Sequence, residues 1–174
     1  MSVYDNCVEQ GVYEVLACLP KELGRVRSVA FVNKNSTILD PTDASEWNAL
    51  IASGDAIIIP QVRGNYDGGA VSEGAGFGDE ATEFTGRIHT LNYFDPNTTQ
   101  NNEVWYNNFT KNAKNYVLWY RTETKIYNTD APLSLSAKEA ITENTTDVVT
   151  YEVMCKWTNE NMAISYPAPA GIFN

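Results

Sequence analysis

The residues able to do chemistry are few and scattered. A single histidine, His89, and three cysteines, Cys7, Cys18 and Cys155, supply all the imidazole and thiol groups of the 174-residue chain. Nucleophilic catalysis needs a base within reach of an activated Ser or Cys. With one histidine and no GxSxG turn, a Ser-His-Asp triad has no support. The odd cysteine count, the absence of CxxC and the lack of a partner for His89 argue against zinc, and reduced thiols are expected. Asp40 and Asp43 stand at the head of a predicted helix, where N-terminal capping and the helix dipole account for both. Gly74-Ala75-Gly76-Phe77-Gly78 has the texture of a phosphate-binding turn. It lacks the Gly-Lys-Ser/Thr of a P-loop and the third glycine of a dinucleotide fingerprint, and the carboxylates around it would repel a phosphate. Glycoside hydrolysis needs two converging acids, and nothing in the spacing of the 22 acidic residues picks out a pair. No EF-hand loop occurs. No catalytic, cofactor-binding or metal-binding residue is assigned, and the chain is read as non-enzymatic.

The charge balance narrows the partners. A formal charge of −10 argues against a nucleic-acid-binding surface, which needs clustered Lys and Arg, and suits a protein that avoids polyanions. The charge is concentrated: residues 64–86 carry Asp67, Glu73, Asp79, Glu80 and Glu83 without one Lys or Arg. No basic start followed by an apolar run opens the chain, and no apolar run reaches membrane-spanning length, so neither export nor membrane insertion is expected. Four Asn-x-Ser/Thr sites, at Asn35, Asn97, Asn108 and Asn144, are read as coincidence in an Asn- and Thr-rich chain. The length fits one domain, or a domain with an arm, and 43% hydrophobic residues are enough for a core.

The elements follow from pattern. Residues 1–24 read as an N-terminal arm or edge strand. Residues 25–33 alternate as a strand carrying Val26 and Phe31. Residues 40–54 are the best-signalled helix: Asp43 with Glu46 forms a capping box, Trp47, Leu50 and Ile51 follow at helical spacing, and Gly54 sits at the C-cap. A strand with Pro60 at an edge leads into a long glycine-rich acidic loop over 64–86, a length unusual in a compact domain unless it has a job. Residues 85–94 form a strand with His89, Leu91 and Tyr93 on one face, where a lone histidine is expected to be packed. Trp105, Phe109 and Ala113 share one face of a short helix, and 116–121 is an aromatic, β-branched strand. Residues 129–144 stay open between two readings: a helix capped by Ser136 and Glu139, or a strand. Val149, Tyr151, Val153, Cys155 and Trp157 form the buried face of an antiparallel strand. Expected core positions are Trp47, Leu50, Trp105, Phe109, Leu118, Tyr120, Tyr151 and Val153. The fold class is mainly β: an antiparallel β-sandwich or barrel with a flanking α-helix, over residues 25–165. Residues 166–174, Pro-rich and ending near Ile172 and Phe173, form a C-terminal arm whose apolar residues need a partner.

The order of these elements resembles the tail tube (major tail) proteins of bacteriophages, especially a type seen in phages and prophages of Bacteroidetes-like hosts. The likeness covers residues 25–174 and rests on layout: strand, capped helix (DPTDASEWNALIASG), strand into a flexible acidic loop (IIIPQVRGNYDGGAVSEGAGFGDE), strand (TGRIHTLNYF), short helix and aromatic strand, final strand and apolar tail. It implies a virion structural subunit, assembled in the host bacterial cytoplasm, that forms stacked homo-oligomeric rings, commonly hexamers, alongside other phage tail proteins. DNA would pass through an acidic lumen without specific binding, and no cofactor or membrane is implied. Carried onto this chain, the resemblance makes Tyr66, Asp67, Phe77, Asp79, Glu80, Phe84, Tyr166, Ile172 and Phe173 the expected inter-subunit and ring-stacking residues. The segment with Cys7 and Cys18 has no counterpart in that layout. Two other readings stand beside it: a capsid decoration or head–tail connector subunit, and a carbohydrate- or surface-binding β-sandwich module suggested by the Trp and Tyr content.

Overall fold

The computed structural model describes residues 13–14, 22–79 and 81–174. The N-terminal arm, with Cys7 and Cys18, thus falls largely outside the described residues, as does Glu80. The chain folds as two antiparallel sheets packed face to face. In order, the elements are β1 (Ser28–Asn33), α1 (Ala44–Ser53), β2 (Ala56–Ile59), β3 (Arg63–Tyr66), β4 (Ala70–Ala75), β5 (Thr82–Asp95), α2 (Gln100–Asn112), a 3-10 turn (Ala113–Asn115), β6 (Tyr116–Arg121), β7 (Lys125–Pro132), β8 (Ser134–Ala140), β9 (Thr150–Thr158) and β10 (Ile164–Pro167). The first sheet runs β10-β7-β6-β1-β2; the second runs β3-β5-β9-β8, with β4 also paired to β5.

Alternation along the strands builds the layers. β1 is buried on both sides, because Val29 and Phe31 point into the space between the sheets while Ala30 and Val32 point the other way. The inter-sheet core takes Leu91 and Tyr93 from β5, Leu118 and Tyr120 from β6, and Tyr151, Val153, Cys155 and Trp157 from β9. α2 closes it. Thr99 caps the helix by accepting from Asn102 N, and Tyr106 and Phe109 enter the core, with Phe109 at 4.7 Å from Phe31 between ring centroids. Trp105 is half-buried and stacks on Phe109 at 4.6 Å. The outer face of the first sheet is covered by α1, which buries Trp47 completely and leaves Leu50 half-buried and Ile51 exposed. Asp43 caps α1 by accepting from Ser45 N. Glu46, however, accepts from Leu39 N and Asp40 N, so the box closes one turn further out than the spacing predicts.

Two expectations are corrected and one left open is decided. The acidic loop over 64–86 is built from β3, β4 and the first third of β5. The candidate helix after Ser136 is strand β8, because Leu135 is needed in the core and each second residue faces solvent. β7 and β8 run almost without a break across Pro132 and Leu133, one in each sheet, and Asp130, at φ 47°, lies where the β6–β7 register shifts. The C-terminal arm, lastly, finds its partner in its own subunit. β10 pairs with β7, and Phe173 inserts between α1 and the sheet, 5.0 Å from Trp47. Arg121 holds the end by donating to the Phe173 carbonyl and to Asn174 Oδ1.

A second clasp secures the approach to β1. The Glu22 carboxylate accepts from Thr124 Oγ1 and N, from Thr122 Oγ1 and from Glu123 N at the β6–β7 turn. Those bonds, the Thr124 hydroxyl foremost, lower its pKa from the ordinary 4.5 to about 2. A carboxylate held below its unfolded value contributes stability that is full above pH 4.5 and lost as pH falls towards 2. Protection factors at Glu123 and Thr124, measured against the intrinsic exchange rate at each pH, are therefore expected to fall as pH drops through that window in the wild type. In Glu22→Gln those factors are expected to be lower and to show no such change across the window. Phe173→Ala empties a fully enclosed site and is expected to cost about 3 kcal/mol in a denaturant titration. A free arm would lose less than about 0.5 kcal/mol.

Candidate interaction surface

β3 and β4 lie end to end along the same edge of β5. Together the three strands make one long hairpin whose tip is at residues 76–81. A 14-residue strand such as β5 spans roughly 45 Å at about 3.3 Å per residue. β9 accompanies it only from Ile88 to Asp95. Among the described residues, 82–86 therefore have β4 as their sole ladder partner and extend about 15 Å beyond the part of β5 that β9 accompanies. Where the ribbon leaves the body, one extra residue in β5 opposes Ser72 and Glu73, and Gly86 takes φ 140°, a conformation L side chains rarely adopt. Such a bulge bends and twists the strand that carries it.

The root of the ribbon is fastened by the lone histidine. His89 is fully buried and stacks on Trp157 at 5.2 Å and on Tyr66 at 5.9 Å. Its Nε2 donates to the Asn159 carbonyl at 3.0 Å, so Nδ1 is left to accept from the Tyr66 hydroxyl at 2.6 Å. Burial, helped by the adjacent Asp67 carboxylate, pushes the Tyr66 phenol up to about 12 and keeps it a donor. Asp67 Oδ1 accepts from Gly69 N and Thr90 N, stapling the break between β3 and β4 to β5. Both ring nitrogens are engaged in the fold, so His89 has a structural role.

The expected inter-subunit residues separate into two groups. Phe77, Asp79 and Phe84 are exposed on the ribbon, Phe77 to 85%. Tyr66 and Asp67 are spent at its root, and Tyr166, Ile172 and Phe173 pack on their own subunit against the α1 cluster. Of these five only Phe173 is fully buried; Asp67 is exposed, and Tyr66, Tyr166 and Ile172 keep part of their surface. Val71 and Ile88, each about half exposed on the same hairpin, are surface residues that sequence reasoning missed.

The opposite end of β5 forms an open cleft of about 830 Å³. Arg25, Arg27 and Arg63 line it, three of the five arginines in the chain. Pro60, Val62, Phe94, Pro96 and Val148 supply its apolar surface. Arg63 lies over the Phe94 ring at 5.5 Å. Two carboxylates also line the cleft: Glu152 pairs with Lys138 at 2.8 Å, and Asp147 accepts from the neutral Thr142 and Asn144 side chains, so the three arginines leave the lining net positive. Arg25 holds φ 129°, and Arg27 Nε is buried with no hydrogen-bond partner among the described residues. Non-glycine backbone in that region is strained and persists where the surroundings enforce it.

Elsewhere the polar chemistry is internal. Tyr106 donates to Asp95 Oδ2 at 2.7 Å and meets Tyr93 at 3.2 Å, which ties α2 to β5; burial pushes both phenols well up. Burial likewise pushes the Cys155 thiol up, leaving it a poor nucleophile. Among the described residues, no group of three His, Cys, Asp or Glu side chains is placed to hold a metal, and no helix is long and apolar enough to cross a membrane. Three of the four tryptophans are buried and Trp105 is half-buried. Comparison with protein-family models, curated proteins and solved structures finds no match to the chain.

The root of the hairpin yields a direct test. A Cβ at Gly69 would stand 2.5 Å from the His89 ring, at φ 83°. Gly69→Ala is expected to cost about 1–3 kcal/mol in chemical denaturation. Gly24→Ala, with open space around it, should leave the midpoint unchanged.

Proposed function

We propose that this chain is a non-enzymatic structural subunit that self-assembles, of the tail tube kind found in bacteriophage virions. The observation that carries the reading is the projecting β4–β5 ribbon. It commits a 14-residue strand, a bulge and a buried aromatic stack to holding Phe77, Phe84 and several carboxylates away from the body. An isolated two-stranded ribbon with exposed aromatics is marginal in water and gains from a partner surface.

Further support comes from the sheet edges. Among the described residues, β2 pairs only with β1, β10 only with β7, and β8 only with β9, so their outer edges are candidates for pairing with strands of neighbouring subunits. Edges of this kind are a liability in a monomer and an adhesive in a ring. A hexameric ring of such subunits, stacked by the ribbons, would enclose a channel of net negative charge through which DNA passes without condensing on the wall. Assembly in the host cytoplasm and contacts with other tail proteins belong to the same reading.

Sedimentation and negative-stain microscopy of the purified protein across a wide concentration range test it. Rings or filaments are expected as concentration rises, and strictly monomeric behaviour throughout would overturn the proposal. Replacing residues 75–82 by Asn-Gly is expected to leave a folded subunit, seen by unchanged far-UV circular dichroism, that no longer stacks.

A further inference from the structure

The ribbon tip and the arginine cleft lie at opposite ends of β5. Residues 76–81 follow β4 at the start of the strand, whereas Phe94 and the Arg63 that pairs with it stand at its finish. Two surfaces so placed cannot meet within one chain, but they can meet between copies.

Their chemistry is reciprocal. The tip presents Phe77, almost wholly exposed, with Glu73, Asp79 and Glu83 exposed around it and no basic residue between positions 64 and 86. The cleft presents apolar surface from Pro60, Val62, Phe94 and Pro96 beneath Arg25, Arg27 and Arg63. Neither Arg25 nor Arg63 has a carboxylate within 4.0 Å among the described residues, and Arg27 reaches Glu123 only at that limit. An aromatic anchor in an apolar pocket, ringed by charge pairs, is the usual make-up of an energetic hot spot. The arrangement also answers an electrostatic difficulty. Chains of −10 repel one another, and a local cluster of arginines facing local carboxylates offsets that repulsion at one orientation.

We propose that the acidic ribbon tip of one subunit docks into the Arg25–Arg27–Arg63 cleft of a second copy, with Phe77 seated against Phe94 and Val62. The inference rests on the self-assembly reading above and specifies its contact. Tip and cleft are different surfaces, so the interface is heterologous and propagates head to tail instead of closing as a two-fold dimer.

Charge reversal on each side, alone and together, tests it by sedimentation velocity and microscopy. Arg25→Glu with Arg63→Glu is expected to raise the concentration needed for assembly at least tenfold, as is Asp79→Lys with Glu83→Lys. A chain carrying all four changes should assemble again, because a basic tip then meets an acidic cleft. Circular dichroism checks folding, and Arg25→Gln with Arg63→Gln serves if the glutamate pair does not fold; it should weaken assembly without the rescue. If the wild type assembles but either reversal leaves assembly unchanged, or the fourfold variant fails to recover, the docking is wrong while self-assembly stands. A wild type that never associates removes both.

Discussion

The rest of the structure depends on the burial of β1 on both faces. A strand in an ordinary two-layer sandwich has one wet side, and β1 has none: Val29 and Phe31 serve the space between the sheets, and Ala30 and Val32 serve the cluster under α1. That makes the first sheet a middle layer. It also explains the final residues, since α1 alone leaves a gap beside Trp47 and Trp119 that the Phe173 ring fills. The two clusters differ in make-up. The inter-sheet core is dominated by tyrosines and aliphatic residues, whereas the outer cluster is organised around two edge-on tryptophans at 5.2 Å.

Much of this was legible in the chain because periodicity and burial agree. The alternation of Tyr151, Val153, Cys155 and Trp157 is the inner face of β9, and of the four-residue series Trp105, Phe109 and Ala113 the last two are buried, whereas the helix turns Tyr106 inward and leaves Trp105 half-buried. What misled was local chemistry that served another end. Glycines at 64, 68, 69, 74 and 86 suppress every strand signal in β3, β4 and early β5, yet those at 69 and 86 are there for positive φ at a break and at a bulge. Ser136 and Glu139 have the spacing of a helix cap, but Leu135 and Cys155 are cross-strand neighbours, and that pairing overrides the cap.

The candidate surface was half legible. The acidity of residues 64–86 and the aromatics at 77 and 84 pointed to an exposed functional segment, and they are exposed. The apolar end of the chain gave the same signal for a different reason: it needed a partner, and composition does not distinguish a partner in the same chain from one in the next. The arginine cleft left no trace in the sequence. Arg25 and Arg27 stand next to β1 and Arg63 opens β3, and the bridge between Val26 and Gly64, with the Val62 N–H donating to the Arg27 carbonyl, draws them together.

The nearly unbroken passage from β7 to β8 has a consequence for how the molecule comes apart. Because one run of backbone belongs to both sheets, neither sheet can separate without tearing ladder hydrogen bonds in the other, and the sandwich opens as a single cooperative unit. The ribbon past Ile88 lies outside that unit. It can fray and re-form many times while the body stays closed, so the subunit keeps a rigid frame and a tip that adapts its shape at little free-energy cost.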